Sequence, residues 1–338
     1  MELNRCRGLM FGMAAGDKNR SPFKIALCLL QSIVENDGIY DPHRSLLNYL
    51  IWYCNKDIGW DESGPVTKKV FQWRSCNLQS KSKNELVMSS EDLPVSIAKE
   101  SNNLPVVKDY QLNNMEAIQI SKDLNGTKNL NMETIKSLND IYIYAEKIDE
   151  DYKGFTTDID PVYRSLPLAL LSNKLSEEQL IRCIRAECQI THKSEIAQSA
   201  CISVVLLLSL LINGQDFEKS AREVARKMSF CFPVKNAILE GLEERCTNNL
   251  SRGSYCVDVI KASIYCVQNF RSLAAALDAS IMLAGSFNFC PVLVGALAGA
   301  NEGCNTLNSF KMYTKQWEPR DLHYCESYIN QLQTKTSD

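Results

Sequence analysis

From Gly154 to about residue 330, apolar residues recur at helical spacing almost without interruption. The longest apolar run, residues 196–212, is shorter than the roughly 20 residues of a membrane span and contains Gln198 and three serines. We therefore predict a buried core helix there. Ser176 with Gln179 forms a capping box, which predicts a helix start, and Asn213-Gly214 is typical of a helix end. No alternating pattern of useful length favours strands, so the sequence predicts an all-α fold.

Helical spacing also predicts elements at 23–34, with Ser21 and Pro22 as N-cap and first turn, and at 44–54. Later helices are predicted near 216–230, 233–244, 257–269, 273–283 and 291–300. Between the helices predicted up to residue 54 and those predicted after Gly154, residues 77–140 are rich in Ser, Asn, Lys and Asp, and their apolar residues show no sustained helical or strand period. We predict a single domain over 1–338 with a polar, flexible insertion at about 77–140. A partner-binding role is the alternative to a solvated linker.

The composition narrows the functional classes. An apolar fraction of 45% supports a large core, and a net charge of -3 leaves no general basic surface, so neither nucleic acid nor a membrane is expected as a partner. The first residues do not form a signal peptide. Fourteen cysteines without a CxxC pair predict free thiols in a reducing compartment. We expect a cytoplasmic protein, with the nucleus left open.

Two acidic segments contain candidate chemistry. Asp17 lies just before a predicted helix, where a carboxylate can bind a metal ion, act as a base or cap the helix. Asp158 and Asp160 stand two residues apart in a loop that leads into an apolar helix, and such a pair can hold a hard cation. Arg164 can pair with these acids or with a phosphate. In both segments a purely structural role is the competing interpretation.

The segment 284–303 is the most distinctive in the chain. Pro291 fits the first turn of a helix, so free N–H groups near 288–290 are suited to an anion. Cys290 at this position is either an activated nucleophile or a packed core cysteine. Gly295, Gly299 and Gly303 recur every four residues, which predicts a stripe for close helix packing.

These segments have the order and helical surroundings of motifs in the ADP-ribosylglycohydrolases, and the chain resembles that family. The matching motifs are Arg7-Gly8 with Gly12 through Asp17, Arg164 to Leu168, Thr191-His192 before a long apolar helix, and the glycine placement of Gly285 to Gly303. The resemblance implies an orthogonal helical bundle that removes ADP-ribose from modified arginine or serine.

The same resemblance shows where the chain departs from the family, which holds two divalent ions through two aspartate-threonine motifs. Ser21-Pro22-Phe23 stands where Asp-Asp-Thr is expected. Ser286 and Asn288 replace the aspartates of the second motif, and Phe289 replaces its last threonine. Because Mg²⁺ is held by anionic oxygens, we predict no metal ligand and no cofactor, and Mg²⁺ is implied only by the resemblance. The replacements resemble a divergent branch with a rebuilt pocket.

Two hypotheses follow. In the first, the protein binds an ADP-ribose-like small molecule or an ADP-ribosylated protein and hydrolyses a glycosidic bond at the ribose anomeric carbon. The candidate acids or bases are Asp17, Asp158 and Asp160, and the candidate ligand-binding residues are Asn19, Arg164, His192, Gly285, Ser286, Asn288 and Cys290. In the second, the protein is a catalytically inactive family member, either an ADP-ribose reader or a structural, crystallin-like protein. The sequence leaves enzyme or non-enzyme open.

Overall fold

Twelve α-helices and one 3₁₀ helix account for most of the residues that the computed structural model describes. These residues are 2–54, 67–68, 70–71, 157–243, 250–251, 253–270, 272–284, 290–304, 314–315 and 317–334. Within them the backbone forms no strand, and its one β-type pairing is an isolated antiparallel bridge between Asp158 and Tyr255. The predicted all-α fold is confirmed.

In chain order the helices are α1 (Leu3–Gly16), α2 (Ser21–Glu35), α3 (Pro42–Cys54), α4 (Asp160–Ser165), the 3₁₀ helix (Leu166–Leu171), α5 (Glu177–Gln189), α6 (Glu195–Ile212), α7 (Phe217–Lys227), α8 (Phe232–Gly241), α9 (Cys256–Asn269), α10 (Leu273–Leu283), α11 (Cys290–Glu302) and α12 (Pro319–Thr334). All of them belong to one compact unit. The predicted insertion at 77–140 lies outside the described residues, so the single-domain boundaries stay a prediction.

Helix α6 forms the centre of this unit. It packs against α1, α4, the 3₁₀ helix, α5, α7, α8, α9 and α11. By length and composition alone it could cross a membrane, but 83% of its apolar window is buried among these neighbours. A helix that is apolar all round is the expected core of a large helical protein, as the sequence predicts for this run.

The predicted ends of several helices are confirmed. Ser176 accepts a hydrogen bond from the Gln179 N–H, and the Gln179 side chain accepts one from the Ser176 N–H. Asn213 ends α6, and Gly214 follows with a φ of +81°. The predicted start of α2 is wrong by one residue, because Ser21 is the first helical residue and Arg20, with a φ of +62°, takes the N-cap position.

The close contact between α1 and α11 brings two of the predicted segments together. The helices run antiparallel, with Gly8 on the carbonyl oxygen of Gly299 and Gly16 on that of Pro291. A Cβ built on either glycine would lie 1.9 Å from that oxygen. The predicted glycine stripe on α11 is therefore confirmed. The glycines of α1 that face it, Gly8, Gly12 and Gly16, place the end of α1, and hence Asp17, beside the start of α11.

Candidate functional site

Asp17 caps the start of α2 and is fully buried. Its Oδ1 accepts the N–H groups of Asn19 at 3.1 Å and Arg20 at 2.8 Å, and its Oδ2 accepts that of Phe23 at 2.8 Å. Burial raises the pKa of this carboxyl to about 7, although the three N–H donors act in the opposite direction. In the structure Asp17 therefore acts as the cap of α2. Asn19 contributes a main-chain N–H to the cap, and a catalytic Asp17 stays a prediction.

Asp158 lies just before α4 and is almost completely buried. Its Oδ1 accepts the N–H of Asp160 at 3.0 Å and stands 3.2 Å from Nε2 of His192. This approach is off the direction of a hydrogen bond, and both Nε2 of His192 and Oδ2 of Asp158 are buried without a hydrogen-bond partner. The bridge to Tyr255 fixes the main chain of this loop. The predicted residues Asp158 and His192 are therefore neighbours.

A buried polar chain continues from His192 into the core, and we call Glu187, Arg164, Thr191, His192 and Asp158 the polar chain. Thr191 Oγ1 lies 2.7 Å from Nδ1 of His192 and accepts a hydrogen bond of 2.8 Å from Nη2 of Arg164. Arg164 also donates from Nε to Oε1 of Glu187 at 2.7 Å and from Nη2 to its main-chain carbonyl at 2.8 Å. The chain ties Asp158 to α4 and α5.

Arg164 serves as a core residue rather than as a partner of the nearby acids. It is fully buried and pairs with the equally buried Glu187, and its guanidinium carbon lies 5.6 Å from the ring centroid of Tyr49. Burial alone would lower the pKa of Arg164, but the charge of Glu187 raises it further above its usual value. The hydroxyls of Tyr49 and Tyr40 also donate to Glu187, at 2.8 and 2.9 Å. Ligand binding by Arg164 stays a prediction.

Tyr163, which was not singled out from the sequence, is an almost completely buried residue of α4. Burial is the main cause that raises the pKa of Tyr163 well above its usual value, and Cys290, Asp160, Asp17 and Asp158 act in the same direction. Groups from three separate parts of the sequence therefore influence the pKa of one buried tyrosine. Its position immediately before Arg164 was the available signal.

Cys290 begins α11 as a fully buried thiol. The Ser263 hydroxyl donates to its sulfur at 3.6 Å. A hydrogen bond to Cys290 raises the pKa of the neighbouring Cys266 thiol. These contacts support the packed core cysteine that the sequence left as one of two alternatives.

The described residues do not fit the metal pair that the family resemblance implies. They contain no group of three or more His, Cys, Asp or Glu side chains that could hold an ion. Phe23, at one of the expected ligand positions, is buried with its ring centroid 4.7 Å from that of Trp317. Both oxygens of Asp17 already accept main-chain N–H groups. Gly285, Ser286 and Asn288 lie outside the described residues, so their predicted roles stay predictions.

Comparisons with known proteins agree with the predicted family. The sequence model of the ADP-ribosylglycohydrolases matches residues 23–321. A solved structure titled "ADP-ribosylglycohydrolase-related protein complex" is similar in fold, with a TM-score of 0.60, 15% sequence identity and coverage of 99% of both chains. No curated protein matches the sequence at a significant level. The fold likeness agrees with the predicted ADP-ribosylglycohydrolase-like helical bundle.

Proposed function

The chain belongs to the ADP-ribosylglycohydrolase family, and from this premise we propose that it binds an ADP-ribose-like group without the family's two divalent ions, as a reader. Its natural ligand is either a free nucleotide sugar or an ADP-ribosylated protein. The buried Phe23 is the observation that carries this proposal, because an aromatic ring stands where the family resemblance expects a metal-binding residue.

The surroundings of Phe23 support its structural role. Its ring packs edge-on against Trp317, and the indole N–H of Trp317 donates to the main-chain oxygen of Ala14 at 2.9 Å. The Phe23 N–H is held by Asp17. A metal at this place would need oxygen ligands, and an aromatic ring packed against Trp317 supplies none.

Binding of a sugar nucleotide does not require those ions. Tyr163 and Asp160 lie on α4 and Asp158 lies just before it, and such groups can accept or donate hydrogen bonds to hydroxyls. The carboxylates would orient the sugar by accepting hydrogen bonds from its hydroxyls.

Glycosidic hydrolysis without metal is the second candidate, and one observation favours it. The pKa of Asp17 is raised by burial to about 7, which is the range that suits a general acid or base near neutral pH. In this version Asp17 would exchange a proton with the leaving group. The three N–H groups that already occupy its oxygens weigh against it.

Calorimetric titration with ADP-ribose tests the proposal, in MgCl₂ and in EDTA, beside an assay for ADP-ribose released from ADP-ribosylated protein. A reader binds equally in both buffers and releases nothing. Binding that requires Mg²⁺ would contradict the proposal, and release in EDTA would establish the metal-free hydrolase instead. Absence of binding in both buffers would favour the structural, crystallin-like role.

A further inference from the structure

One carboxylate oxygen at the site has no hydrogen-bond donor. Asp158 is 6% exposed, and its Oδ1 is occupied by the Asp160 N–H and the nearby His192 ring. Its Oδ2 is buried without a partner. Buried carboxylate oxygens almost always accept hydrogen bonds, and leaving one unmet is energetically unfavourable. Oδ2 is therefore the acceptor that a bound molecule would satisfy.

Two further atoms of the polar chain lack a hydrogen-bond partner. Nε2 of His192 and Nη1 of Arg164 are also buried without a hydrogen-bond partner. Both side chains are fully buried. Their other polar atoms are fixed by Thr191 and Glu187, and Nε2 of His192 is the unmet atom that lies beside Asp158. This pattern is typical of a preorganised polar site.

The surrounding charge selects which part of an ADP-ribose-like ligand fits. Asp160 lies two residues from Asp158 and donates its N–H to that carboxylate, so two acidic side chains share this loop and disfavour a pyrophosphate there. An uncharged donor is favoured, and the ribose hydroxyls are uncharged donors. We propose that Asp158 Oδ2 binds a hydroxyl of the ribose distal to adenine, and that His192 is the positioning residue that orients this carboxylate. The inference rests on the proposed function.

Titration with two ligands, ADP-ribose and ADP, separates this contact from the rest of the site. Loss of a charge-assisted hydrogen bond in Asp158→Ala is expected to weaken ADP-ribose binding by about tenfold to a hundredfold and to leave ADP binding unchanged. Asp158→Asn keeps the shape and should lose a smaller factor. Asp278→Ala, an exposed aspartate on α10, is the matched control and should bind both ligands like the wild type.

His192 is tested by rescue. His192→Ala should weaken ADP-ribose binding, because it removes the ring that lies 3.2 Å from Asp158 Oδ1, and His192→Gln, which keeps a polar side chain of similar reach at that place, should restore most of it. Thermal melts identify variants that do not fold, and if Asp158→Ala is among them, Asp158→Asn decides the question.

The outcomes distinguish a failure of the ribose contact from a failure of the proposed function. If the wild type binds ADP and ADP-ribose equally, or if Asp158→Ala weakens both alike, the ribose contact is overturned while nucleotide binding stands. Unchanged ADP-ribose binding in Asp158→Ala would show that Oδ2 meets only an internal water. If the wild type binds neither ligand, the proposed function falls together with this contact.

Discussion

Gly12 on α1 and Gly295 on α11 face each other so closely that a Cβ on either one would lie 1.9 Å from the other's carbonyl oxygen. At this distance the two backbones touch without intervening side chains. The contact fixes the end of α1 against the start of α11. The position of Asp17 beside the Cys290 segment therefore depends on residues that have no side chain.

Gly12→Ala should destabilise the protein by about 3 kcal/mol, at the upper end for overpacking, because the added methyl meets backbone that cannot rotate away. Urea unfolding measures the change in the free energy of unfolding. Gly253→Ala is the matched control, since its nearest heavy atom would be 3.6 Å away. Equal stability of the two variants would contradict the close helix contact.

Arg164→Met should destabilise the protein by about 3 to 5 kcal/mol, because it leaves the Glu187 charge buried without its cation. Arg222→Met is the control, since Arg222 pairs with Glu218 on the surface and its loss should change stability by less than about 1 kcal/mol. The double variant Arg164→Met, Glu187→Met should recover part of the loss. A loss in Arg164→Met no larger than in the control would show that the pair carries little stability.

The sequence predicts helices well where apolar periodicity and caps agree. The predicted helix at 273–283 has the observed bounds, and α6 lies within a residue or two of its prediction. Helix α1 was not predicted, because Gly8, Gly12 and Gly16 weaken helix propensity. The tertiary contact with α11 overrides that propensity, and no local signal reports such a contact.

The candidate site was predictable in part. Asp158, Asp160 and His192 were singled out, and in the structure Asp158 accepts the Asp160 N–H and lies beside the His192 ring, while their predicted roles stay predictions. Glu187 was missed, although it follows Leu180 and Ile184 at the spacing of a buried helix face. An acid at a core position of an amphipathic helix is a usable signal for a buried ion pair. Its partner cannot be read from spacing, because Arg164 lies on another helix.

Mg²⁺ should leave the melting temperature unchanged to within about 1 °C compared with EDTA, because a ligand that does not bind the folded state cannot stabilise it. NaCl at the same ionic strength controls for screening of surface charges. The donor set supports this outcome, since Phe23 and the fully bonded Asp17 offer no free anionic oxygens for a pair of ions. A rise in melting temperature specific to Mg²⁺ would place an ion in the protein.

Asp17 should make the protein more stable as the pH falls. Its pKa is raised by burial from 3.8 to about 7 in the folded protein, so between these values the folded state binds more protons than the unfolded state. Stability from this group is then greatest below pH 4 and is lost as the pH rises through 7. Between pH 8 and pH 5 the gain should be about 3 kcal/mol.

Comparison with Asp17→Asn isolates this group from all other titrations. The free energy of unfolding of the wild type minus that of Asp17→Asn should rise by that amount from pH 8 to pH 5, whatever constant offset the variant adds through the Phe23 N–H. If this difference in the free energy of unfolding rises with pH instead, the N–H donors affect the pKa of Asp17 more strongly than burial does. Asp17 would then have a depressed pKa, which would remove the one observation that favours it as a general acid.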